Sequence, residues 1–130
     1  MVLLCDGWTS TNSNFQLYCL VAAYVDTSGK LQQHLVGIVD TPSARSHDLQ
    51  RLFIAEMSKS KLTMDQFFCS VTDGASNLKS LAERLQVPRI HCACHVLHLV
   101  VVDITRMPDV APIVEKCKKN CCKISKIAET

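Results

Sequence analysis

The chain has 130 residues, of which 48% are hydrophobic and 20% charged, with only 4 Gly and 4 Pro. That composition excludes disorder, collagen-like repeats and low-complexity linkers, and the length suits one domain around one core. The formal net charge of +2 neither demands nor excludes a nucleic-acid partner.

Val2 to Asp6 is a short apolar run closed by an acid. It has no basic leading segment, so it does not read as a secretory signal. Gly7 and the polar stretch Thr9 to Asn14 read as a turn. Phe15 to Val25 is a predicted strand with apolar residues on both faces, which suits the interior of a covered sheet. Asp26-Thr27-Ser28-Gly29-Lys30 is a hairpin-type connection, and Leu31 to Val39 is the next strand. Three strands joined by short polar turns predict an antiparallel meander.

Pro42 and Ser43 interrupt that pattern, and Ser46 is a suitable N-cap for a helix. Leu49, Leu52, Phe53 and Met57 follow at helical spacing. Gln66 to Thr72 returns to strand character and ends at Asp73-Gly74. Ser76 or Asn77 opens a second helix with Leu78, Leu81, Ala82 and Leu85 on one face, and Pro88 ends it. Arg89 to Cys92 is a very short strand, and His95 to Ile104 is a helix with an apolar body. Val110 to Ile127 is a final helix whose apolar stripe includes Ile113, Cys117, Cys121 and Ile124. Its lysines read as a solvated face or a contact to phosphates. The order β-β-β-α-β-α-β-α, with a further helix, is an α/β pattern with a mixed sheet in a single domain.

Eight cysteines are many for this length, but the chain lacks the Gly- and Pro-rich character of a secreted disulfide scaffold. The expectation is an intracellular protein with reduced thiols, not a secreted one. Cys19 and Cys69 read as core thiols. No apolar run reaches the roughly 18 residues of a membrane span.

Asp6 and Asp73 close the first and fourth predicted strands. If those strands lie side by side, the two carboxylates meet at one end of the sheet. Carboxylates within about 5 Å repel, and a shared cation relieves the repulsion. Mg²⁺ suits such a pair, because it takes one or two carboxylates and fills its other positions with water and phosphate. Both residues also stand in Asp-Gly pairs, and on residue pattern alone turn chemistry is the better-supported reading of them.

Asp6-Gly7-Trp8-Thr9-Ser10, followed by an aromatic-rich strand, resembles the opening motif of the hAT superfamily of DNA transposases. Val71-Thr72-Asp73-Gly74-Ala75-Ser76-Asn77 resembles its second motif, with Gly74 where Asn is usual. His91-Cys92-Ala93-Cys94-His95-Val96-Leu97-His98 is similar to its third motif, a Cys-x-x-His followed by a Leu-rich helix, matched by Cys92 and His95. The resemblance implies a ribonuclease-H-like fold, with the start of a helical insertion over residues 95–130. It implies Mg²⁺- or Mn²⁺-dependent strand cleavage and transfer at transposon DNA ends, carried by Asp6 and Asp73 as catalytic metal ligands. Cys92 and His95 are then expected to support the active site or to contact DNA.

In the family a third carboxylate, a Glu on a late helix, lies beyond the insertion. Glu115 does not match it, so the chain is expected to be a truncated or domesticated form, inactive alone. The alternative is a domesticated, non-catalytic DNA- or protein-interaction module. Either is expected in the nucleus, with DNA, a protein partner or self-association and no membrane contact. Zinc is not expected, since one tight Cys/His cluster lacks the second ligand pair that a structural site needs. Trp8 is expected to pack in the core behind Asp6. Loss of a covering helix is expected to expose apolar surface.

Overall fold

In the computed structural model, the described residues are 1–9, 16–43 and 45–127, with side chains described as far as residue 119. The expected start of the second strand at Phe15, the polar turn at 10–14 and the apolar stripe beyond 119 lie outside them. Two compact units are present, Met1–Cys92 and Ala93–Thr130.

The first unit is built on five strands: β1 Val2–Thr9, β2 Gln16–Val25, β3 Leu31–Thr41, β4 Cys69–Thr72 and β5 Arg89–His91. They form one sheet in the order β3-β2-β1-β4-β5. The pairs β1–β2 and β2–β3 are antiparallel, whereas β1–β4 and β4–β5 are parallel. The meander expected from the polar turns is present, and the mixed sheet with this strand order is the ribonuclease-H-like arrangement.

The hairpin joining β2 and β3 is set by Asp26. One carboxylate oxygen accepts the backbone N–H groups of Ser28 and Lys30, and the other accepts from Gln32. Gly29 takes the left-handed φ of +81° that closes this turn.

Alternation along β1 and β2 turns Leu3, Cys5, Tyr18, Leu20 and Ala22 to one face, where all are buried. Two helices cover that face: α1 Ser46–Lys59 and α2 Ser76–Leu85. From α1 come Leu49, Phe53 and Met57, one every fourth residue, and from α2 come Leu78, Leu81 and Leu85. All of them belong to one core cluster with the inward residues of the sheet. Burying side chains of this kind contributes about 1.5–3 kcal/mol each.

Three boundaries differ from expectation. Ser46 is the first residue of α1 and does not cap it. The Ser43 hydroxyl instead donates to Asp48 in the first turn, at 2.8 Å, and that bond holds the Asp48 carboxyl below its ordinary pKa. The segment before β4 is a single 3-10 turn, Met64–Gln66, closed by reciprocal Thr63 and Gln66 bonds. Finally, β1 does not stop at Asp6 but runs on to Thr9.

The second unit holds α3 Ala93–Arg106 and α4 Ala111–Ile127. A short turn anchored on the Met107 carbonyl joins them, and Pro112 sits in the first turn of α4, where its missing N–H costs nothing. Among the described residues no helix is long and apolar enough to cross a membrane.

Candidate functional site

The parallel pairing of β1 with β4 sets the site. Cys5 is opposite Thr72, so Asp6 and Asp73 are each the next residue along two neighbouring strands. Adjacent strands lie about 4.8 Å apart. Both carboxylates bear on the thiol of Cys5: burial pushes it from 9.0 up to about 12, and the negative charges of Asp6 and Asp73 add to that rise. The two aspartates, far apart in sequence, therefore share one rim of the sheet.

Asp6 is exposed and Asp73 half-buried. One oxygen of each carboxylate accepts a backbone N–H just downstream: Asp6 from Gly7 at 3.0 Å, and Asp73 from Ala75 at 2.9 Å. The turn chemistry weighed from the sequence is present at Asp73. At Asp6 the chain stays extended, because Gly7 pairs with Tyr18 and Trp8 with Leu17. Asp6 is therefore not the last residue of its strand. Trp8 is not in the core either: it is 58% exposed, on the same face of β1 as Asp6.

Two side chains that the sequence did not single out shape this rim. Arg89 of β5 donates from Nε to the Thr72 hydroxyl and from its guanidinium to the Asp73 carbonyl, both at 2.8 Å. It holds the exit of β4 in place. Tyr18 of β2 lies over Gly7, and its buried hydroxyl accepts a 2.8 Å hydrogen bond from the Asn77 side chain while donating to Gln16. Burial raises the Tyr18 pKa, and the Asn77 bond opposes that rise.

Cys92 is half-buried, and its N–H donates to the carbonyl of Thr72 at 2.8 Å, which sets its backbone beside the end of β4. His95 stands in the first turn of α3, in the second unit, where it is half-buried. His98, Cys94, Cys117 and Glu115 are exposed. Among the described residues no group of three or more His, Cys, Asp or Glu side chains could hold a metal ion together. Asp6 and Asp73 form a pair of hard oxygen donors. Such a pair suits Mg²⁺ or Mn²⁺, which share their coordination with water and phosphate, and is too small for a closed structural zinc site.

No protein-family model matches the chain, and no curated protein does. Among solved structures, the chain is similar to YeaZ from Pseudomonas aeruginosa, at 16% identity and a TM-score of 0.38. The match covers 71% of this chain and 44% of YeaZ, so the chain spans less than half the length of that protein.

Proposed function

We propose that this chain is part of the catalytic core of a hAT-type DNA transposase, in which Asp6 and Asp73 hold Mg²⁺ or Mn²⁺. The observation that carries this reading is the parallel β1–β4 register, which sets the two aspartates side by side at an accessible rim. When bound, the ion supplies a positive charge for phosphate oxygens and a lowered pKa for a water or terminal hydroxyl. The residues of this chain do the positioning. The Asp6 and Asp73 carboxylates are each steadied by one backbone N–H, Arg89 fixes the Asp73 backbone, and Cys92 lines the rim beside them. His95, in the second unit, would contact DNA on this reading. On this reading the chain works in the nucleus.

Two carboxylates without a third make a weak metal site, so the isolated chain is expected to bind Mn²⁺ weakly and to leave DNA intact. Calorimetry with Mn²⁺ on wild type, Asp6→Asn and Asp73→Asn tests the site. A nicking assay on supercoiled DNA tests the activity. Binding that disappears in both variants, without nicking, is the expected result. Binding unchanged in both variants would refute the metal pair. Nicking that needs Asp6 would refute inactivity.

A second reading, a domesticated non-catalytic module that contacts protein, draws on a different observation. Phe68, Val25 and Leu31 are exposed around an apolar cleft of about 520 Å³ that begins at Met1, the end of β1 away from Asp6. Exposed apolar surface of this kind marks interaction sites. Absence of any Mn²⁺ binding that depends on Asp6 and Asp73 would favour this reading.

A further inference from the structure

Asp6 and Asp73 are carried by different elements. Asp6 belongs to β1, which is held mainly by β2, whereas Asp73 belongs to the turn entering α2. Backbone pairing between β1 and β4 ends at Cys5 and Thr72, one residue short of both carboxylates. Something beyond the ladder must set their relative placement.

Tyr18 spans that gap. It pairs with Gly7, and its ring lies so close that a Cβ at Gly7 would sit 2.8 Å from the ring edge. From the other side the ring meets Phe53 of α1 edge-on, with centroids 6.1 Å apart. Its hydroxyl is tied to Asn77, four residues past Asp73 and in the first turn of α2. Tyr18 is only 4% exposed and Asn77 half-buried, so this bond is partly shielded from water. The chain of contacts runs from Gly7, beside Asp6, through Tyr18 to Asn77 in the turn that carries Asp73.

We propose that Tyr18 and Asn77 are positioning residues for the aspartate pair, their hydrogen bond fixing the Asp6 strand against the Asp73 turn. This deepens the metal-pair reading and rests on it for its metal-binding consequence. Neither side chain needs to touch an ion. Supporting partners of metal ligands are worth about 10–100-fold in metal affinity when removed.

The Gly7 and Ala75 amides report the outcome directly, because each donates to the carboxylate in question. Amide exchange and two-dimensional amide spectra of the full chain, without metal, are compared for wild type, Tyr18→Phe and Asn77→Ala. Tyr18→Phe keeps the ring and removes only the hydroxyl, so the fold is retained. The expected result is a cross-effect: Asn77→Ala shifts the Gly7 amide and speeds its exchange, and Tyr18→Phe does the same at Ala75. Mn²⁺ titration of the same proteins is expected to show about a 10-fold loss of affinity in each single variant, with no further loss in the double variant.

Amide changes confined to the neighbours of each substituted residue would overturn the proposal. So would additive losses of affinity, which mean two unrelated packing defects. Asp6→Asn separates the two levels. If Mn²⁺ binding is indifferent to that substitution, the metal pair fails, and the amide cross-effect alone decides whether Tyr18 and Asn77 couple the two turns.

Discussion

Cys5 lies beneath the rim where Asp6 and Asp73 meet, and burial together with their charge raises its thiol to about 12. It is therefore neutral and unreactive at ordinary pH, since the thiolate is the nucleophile. Maleimide labelling of the native protein near pH 8 is expected to spare Cys5 while modifying the exposed Cys94 and Cys117. The same shift has a pH consequence. In the unfolded chain the thiol ionises near pH 9.0, while in the folded chain it stays protonated up to about 12. Between those values the unfolded state binds fewer protons, so stability is fully present below about pH 9.0 and falls as pH rises. Denaturant titrations from pH 8 to 10.5 are expected to show a steeper fall for wild type than for Cys5→Ala. Equal slopes would mean that Cys5 is not the group responsible.

At this scale the sequence was informative about chemical type and silent about long-range contact. Asp6 and Asp73 stood out because each is an acid closing an apolar run. Tyr18 and Asn77 did not stand out, because a hydrogen bond between residues so distant in sequence leaves no local pattern. Trp8 was expected in the core on the assumption that β1 ended at Asp6. The strand instead continues, and alternation carries Trp8 outward with Asp6.

The elements show the same division. Polar turns announced the meander, and the order of strands and helices announced the parallel pairing of β1 with β4. The left-handed closures of the two helices in the first unit left no such sign. Each closes in the same six-to-one motif: Leu62 N–H returns to the Met57 carbonyl, and Val87 N–H returns to that of Ala82. The motif needs a left-handed residue just past the helix, a position usually filled by Gly. Here it is Lys61 after α1 and Gln86 after α2, both at φ +56°. Only Pro88 hinted at the end of α2. A side chain in this conformation costs roughly 1–2 kcal/mol, part of which Gly returns to the flexibility of the unfolded chain. Lys61→Gly and Gln86→Gly are each expected to stabilise the protein by up to about 1 kcal/mol, read from urea midpoints. A loss of stability in both would show that the long side chains make compensating contacts.

Over the whole molecule, every buried residue of the core cluster falls between Leu3 and Val87. Among the described residues, the first unit, Met1–Cys92, thus holds the whole core cluster together with the five strands. A fragment of residues 1–92 is expected to unfold cooperatively, with a thermal midpoint within a few degrees of the full chain. A broad, non-cooperative melt would show that the second unit is needed for folding. The boundary at 92/93 was not legible as a division into units, because no Gly-, Pro- or Ser-rich stretch marks it. Cys92 ends one unit by bonding to β4, and Ala93 begins the next helix directly.

Trp8 is the only tryptophan in the chain, and it shares a strand face with Asp6 two residues away. Nature has thus placed a built-in fluorophore beside the acidic rim. Its emission should be red-shifted and readily quenched by acrylamide, and the proposed Mn²⁺ site at Asp6 predicts that it is darkened by paramagnetic Mn²⁺ but not by Mg²⁺. Occupancy of the rim can then be followed by light alone, with no dye or isotope attached.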